Sequence, residues 1–93
     1  RIVTGEEALE LGLASRLAAD PLAAARQLAR DIAASSPDAV RAAKRLVNAG
    51  TGGVSDRDML LAEAAEQQTL LASANHREAL QAHAEKRPPV YRD

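Results

Sequence analysis

The sequence predicts an all-α fold of about five short helices. Three observations carry this prediction. Val and Ile are few and never alternate with polar residues over a useful length, so strand signals are nearly absent. Helix punctuation recurs along the chain: Thr4, Asp20-Pro21, Ser36-Pro37 and Ser55 can open segments, and Gly12, Gly50 and Pro88-Pro89 can close them. Between these marks the apolar residues return at helical spacing.

Thr4 is placed to cap a first helix running to about Leu11, with Glu7 three residues on in the capping-box position and Gly12 as its terminator. Asp20-Pro21 reads as an N-cap followed by the first helical residue. The segment after it puts Leu22, Ala25, Ala29 and Ile32 on one face, with Leu28 beside them, while Arg26, Arg30 and Asp31 fall elsewhere. Ser36-Pro37 repeats the device. Val40, Ala43 and Val47 form the next stripe, flanked by Leu46, and Gly50 ends it. Residues 50–54 are expected to be a flexible, glycine-rich connector between helix pairs.

Ser55 opens the longest helix, expected to reach Leu71 or Ala72, with Asp56 and Asp58 in the first turn where the helix dipole favours acids. Leu60, Leu61, Ala64, Gln68 and Leu71 are expected to form its seam. Asn75 and Glu78 match a capping box for the last helix. That helix is expected to end near Lys86, its basic end suiting the negative pole, and Pro88-Pro89 forbid continuation.

Ninety-three residues allow one small domain with a thin margin of stability. The apolar fraction is 46%, but 22 of the residues are Ala and 12 are Leu, Phe and Trp are absent, and Tyr91 is the only aromatic. Ala buries little area, whereas aromatics usually bury most per residue. The core owned by this chain is therefore thin, and the chain is expected to lean on another domain or another copy of itself. A net charge of −1 gives no basic field for nucleic acid. The lack of cysteine excludes a disulfide scaffold or thiolate metal site and suits a reducing compartment, so a cytoplasmic location is expected. No apolar run approaches the roughly 20 residues of a membrane span, and no membrane partner is expected. The opening Arg1-Ile2-Val3, without Met or a signal pattern, is expected to lie inside a longer protein.

Candidate chemistry is sparse. Gly50-Thr51-Gly52-Gly53 lacks the preceding strand and the Gly-Lys-Ser/Thr of a phosphate loop, and reads as an interhelix turn. His76 and His83 stand seven apart near one helix face, but two histidines without a third ligand make a poor zinc site, so no metal is expected. Glu6, Glu7 and Glu10 suit a helix start better than acid–base work. Lys86-Arg87 suits a helix end, and a lysine there can also reach an anion through solvent.

Several of these segments, in this order, carry a family resemblance. They are Thr4-Gly5-Glu6-Glu7-Ala8 with Leu11-Gly12-Leu13, then Ser36-Pro37-Asp38-Ala39-Val40 with Lys44, then Glu78-Ala79 and Glu85-Lys86-Arg87-Pro88-Pro89-Val90-Tyr91. The chain resembles the C-terminal region of the enoyl-CoA hydratase/isomerase (crotonase) family over nearly all its length. Asp38 stands in the family's variable position, and Tyr91 where Phe is usual. The resemblance implies an acyl-CoA substrate, most often a 2-enoyl-CoA undergoing hydration in fatty-acid or related metabolism, with isomerase and other crotonase chemistries sharing the same helical end. Coenzyme A would enter as part of the substrate, with no covalently bound cofactor. The oxyanion hole and acidic groups that do the chemistry would belong to a β/α spiral core outside residues 1–93. Residues 1–93 would be the helical lid and assembly region, without a catalytic residue of their own and inactive alone. Self-association is implied as a trimer or hexamer of the longer protein, with a helix-swapped dimer open to the 93-residue chain. The family's terminal lysine, a recurrent contact to coenzyme A phosphates, falls on Lys86. His83 stands where an aromatic near the adenine is common, and offers less area to stack. A free-standing all-α interaction module without enzymatic activity is the alternative reading.

Overall fold

Small polar residues set most of the helix starts. The computed structural model describes all residues, Arg1–Asp93, and contains five helices and no strand: α1 (Gly5–Glu10), α2 (Pro21–Ala33), α3 (Pro37–Gly50), α4 (Asp56–Leu71) and α5 (Ala74–Glu85). The Thr4 hydroxyl accepts the Glu7 N–H at 3.2 Å, Asp20 accepts the Ala23 N–H at 3.0 Å, and Ser55 accepts the Asp58 N–H at 3.2 Å. Each satisfies one of the donors that a helix start leaves orphaned. Ser36 precedes Pro37 without a side-chain cap, and proline itself fixes the first turn of α3. No helix is long and apolar enough to cross a membrane. The chain divides into two units, residues 1–31 and 32–93.

In the first unit the capping box at Thr4 is only half made. Glu7 does not turn back to the Thr4 N–H. Its carboxylate is forked by the Arg1 guanidinium, with Nη1 on Oε2 at 2.9 Å and Nη2 on Oε1. A charge-assisted pair outcompetes the neutral donor. The end of α1 is a Schellman motif as expected of Gly12: φ is +71° there, its N–H donates to Leu9 O at 3.1 Å, and the Leu13 N–H donates to Ala8 O at 2.8 Å. α2 begins in this unit. On it Gln27 donates to Asp31 at 2.9 Å, while Leu22 and Leu28 remain exposed.

In the second unit α4 packs against both α3 and α5. The buried apolar residues are Ala42 and Ala82, and no large side chain is fully buried. This is the thin core that the composition predicts. The α3–α4 seam differs from expectation, however. Met59, Ala62, Glu66 and Leu70 are the half-buried residues of α4, and they meet the side of α3 that carries Ala42, Leu46 and Ala49. Leu60, Leu61 and Leu71 are 66%, 57% and 59% exposed, with Ala64 and Gln68 also outward. α4 carries two stripes at helical spacing, and the chosen one opposes small residues, which allow the helices to approach closely. On α3 the same choice leaves Val47 and Ala43 exposed and brings Ala42 in.

The turn after α3 folds back on it. The Thr51 and Gly52 N–H groups donate to Val47 O and Ala49 O at 3.3 and 3.1 Å, and Gly53 takes φ +75°. The start of α5 also departs from expectation. Ser73, not Asn75, is the cap, and its hydroxyl accepts the His76 N–H at 3.1 Å. Asn75 lies inside the helix and is 4% exposed. A cap must be extended, and Ser73 at φ −74°, ψ 152° supplies that two residues earlier.

Candidate functional site at the end of helix α5

α5 ends with Lys86 in the left-handed region, at φ 54° and ψ 40°. The geometry repeats that of Gly12. The Lys86 N–H donates to His83 O at 3.2 Å, and the Arg87 N–H donates to Ala82 O at 3.0 Å. A side chain in this conformation costs on the order of 1–2 kcal/mol, because Cβ crowds the following carbonyl. Lys86 is the one non-glycine residue of the chain with positive φ.

The residues that follow are tied down by Glu78, two turns back on α5. Arg87 Nη1 and Nη2 reach the two oxygens of Glu78 at 2.6 and 3.2 Å, and Arg87 Nε reaches Glu85. The Val90 N–H donates to Glu78 Oε1 at 2.8 Å. The Arg87 guanidinium, and then the Val90 N–H, pull the Glu78 carboxyl down to about 2 from an ordinary 4.5. Arg87 is correspondingly raised, by Glu78 first and Glu85 second. Glu85 is lowered by the Gln81 amide and then by Arg87. Glu78, Arg87 and Glu85 are therefore paired with one another, whereas the Lys86 ammonium enters no ion pair and is exposed. A compact cation with three donors on a flexible stem is suited to an anion such as a phosphate.

His83 stands three residues before Lys86, in the last turn of α5, and is exposed. The two sequence-predicted site residues thus share one helix end. His76 lies in the first turn, away from them. No three His, Asp or Glu side chains converge as a metal site would require.

One arrangement escaped the sequence reading. The Asn75 side chain pairs with both backbone groups of Arg92, accepting its N–H at 2.9 Å and donating to its carbonyl at 2.8 Å. Its second amide hydrogen goes to Asp38 Oδ2 at 2.9 Å. The available signal was an Asn inside a helix, where it is a poor former and needs a local reason. The α3–α4 seam also contains an open groove of about 390 Å³, flanked by Arg45 and Glu66. These two form a fork at 2.6 and 2.7 Å, and Arg45 lowers the Glu66 carboxyl.

Comparison with known proteins agrees with the sequence resemblance. The profile of the enoyl-CoA hydratase/isomerase family matches residues 1–93. The Bacillus subtilis protein YngF, whose name places it with the enoyl-CoA hydratase/isomerases, is 38% identical over 99% of this chain and 36% of its own length. A solved structure described as an enoyl-CoA hydratase/isomerase from Mycobacterium abscessus superposes with a TM-score of 0.80 at 34% identity, over 96% of this chain and 37% of that one. An enoyl-CoA hydratase from Polaromonas sp. JS666 superposes with a TM-score of 0.83 at 27% identity, over 97% and 35%. The chain spans about a third of the length of these relatives, and the match is to their C-terminal part. This chain belongs to the enoyl-CoA hydratase/isomerase family, of which it is a C-terminal, all-helical region.

Proposed function

We propose that residues 1–93 cover the coenzyme A end of an acyl-CoA pocket and contribute subunit contacts in an enzyme that hydrates 2-enoyl-CoA thioesters. Family membership supports the thioester substrate. The observation that carries the residue-level reading is the unpaired Lys86 ammonium beside a fully paired Glu78–Arg87–Glu85 cluster. Lys86 holds a coenzyme A phosphate, and His83 offers a smaller contact to the adenine. The groups that polarise the thioester and move protons belong to another part of the protein. The exposed Leu60, Leu61 and Leu71 support a role in assembly, because large apolar side chains left in solvent favour a partner surface. A trimer or hexamer of the longer protein is the assembly proposed.

The test is steady-state kinetics of the longer protein with a 2-enoyl-CoA, following loss of the conjugated enoyl absorbance. Lys86→Ala removes one charge-assisted contact. It is expected to raise KM by roughly five- to thirtyfold with kcat nearly unchanged, from about 1–2 kcal/mol of lost binding. An unchanged KM with intact assembly removes Lys86 from the site. Products of double-bond migration without hydration would replace the hydratase reading with an isomerase.

A further inference from the structure

The chain ends two helices with the same Schellman geometry, once with Gly12 at φ +71° and once with Lys86 at φ +54°. Glycine meets this requirement without strain. At Lys86 a side chain is kept in the strained position, and three hydrogen bonds to Glu78 surround it: two from the Arg87 guanidinium and one from the Val90 N–H. The residues immediately after the turn are therefore fixed from the preceding helix, which over-determines the backbone at Lys86. Strain held in this way marks a position where the side chain has a use.

We infer that Glu78 is a positioning residue for Lys86: by anchoring Arg87 and Val90 it locks the left-handed turn that sets the direction of the Lys86 ammonium. The inference rests on the reading of Lys86 as a coenzyme A contact. Glu78 touches no ligand in this scheme. It acts through the turn, and its loss leaves Lys86 present but free to sample other directions. The entropy of ordering that side chain is then restored as a cost of binding.

The experiment is a double-mutant cycle on the longer protein. Equilibrium binding of coenzyme A is measured by calorimetry, with pantetheine, which lacks the charged nucleotide, as the second probe. Glu78→Gln is expected to weaken coenzyme A binding roughly three- to tenfold, a fraction of the full contact, and to leave pantetheine unchanged. In a Lys86→Ala background the same change should have less than about a twofold effect, because a positioning residue has nothing left to position. Arg87→Lys, which keeps the charge and loses the fork, should follow Glu78→Gln and serves if that variant does not fold. Equal effects of Glu78→Gln with and without Lys86 overturn the inference, as does an equal loss for pantetheine. A Lys86→Ala effect without any Glu78→Gln or Arg87→Lys effect sinks the inference alone. No Lys86→Ala effect sinks the coenzyme A reading beneath it.

Discussion

Asn75 joins α5 to the first turn of α3 through a 2.9 Å hydrogen bond to Asp38, 37 positions earlier in the sequence. The same amide grips both backbone groups of Arg92, so three separate parts of the chain meet at one side chain. Arg41 adds an exposed ion pair to Asp93 at 2.9 Å. In a unit whose buried apolar residues are two alanines, a polar clamp of this kind carries an unusual share of the tertiary order.

Asn75→Ala is therefore expected to destabilise the protein by about 1–3 kcal/mol, since it removes three part-buried hydrogen bonds, two to the Arg92 backbone and one to Asp38. Asp38→Ala removes one bond of the three and should cost less. Urea unfolding midpoints read both. The residues 90–93 should also lose amide protection first in the Asn75 variant, since the clamp is their link to α5 along with Glu78. Equal costs for the two variants would contradict the clamp.

Acid should release the same tail by a different route. The Glu78 carboxyl sits at about 2 when folded against an ordinary 4.5. Because the folded value is the lower one, its contribution is complete above the ordinary value and is lost as the pH falls from about 4.5 towards about 2. Tyr91 is the only aromatic, so its fluorescence anisotropy follows the tail directly. The anisotropy is expected to drop across that window in the native protein. In Glu78→Gln it should be low already at neutral pH, with the acid step much reduced. Identical acid profiles for the two proteins would separate the tail from Glu78.

The parts of this fold that were legible in the sequence are those with local causes. Thr4, Asp20 and Ser55 cap because their oxygen meets an N–H three residues on, a relation contained within four residues. Gly12 ends α1 for an equally local reason. The face of α4 was not legible. Leu60–Leu61–Leu71 and Met59–Ala62–Glu66–Leu70 are both helical stripes, and only the shape of α3 opposite selects the second. The role of Asn75 is not legible either, because its partners lie 37 and 17 positions away, beyond any capping pattern. At the candidate site the Glu-Lys-Arg order was visible, but the strain at Lys86 was not. Nothing in a sequence says that a lysine will occupy a glycine conformation.

That conformation gives a prediction with an internal control. Lys86→Gly should raise stability by about 1 kcal/mol, because it removes the left-handed penalty. Gly12→Ala should lower it by a similar amount, although nothing lies within 4 Å of an added Cβ. Gly50→Ala should be tolerated or slightly stabilising, since the new Cβ would meet Met59 Cε at an ordinary 3.7 Å and glycine is a poor helix residue. Thermal unfolding of the three variants checks the set. A stability loss for Lys86→Gly would mean that the lysine stem packs in a way that outweighs its backbone strain.

The two stripes of α4 should separate cleanly under mutation. Leu60→Gln and Leu61→Gln act on exposed side chains, so together they are expected to change the stability of the isolated 93-residue chain by no more than about 0.5 kcal/mol each. Leu70→Ala, on the half-buried stripe against α3, should cost about 2 kcal/mol or more. Solubility should move the other way. The glutamine pair should lower self-association measured by light scattering, because it removes two large exposed apolar side chains, whereas Leu70→Ala should not. If Leu60 and Leu61 instead prove as costly as Leu70, then α4 is covered on both sides in solution even without a further domain. The thin core would then be completed by a second copy strong enough to count as part of the fold.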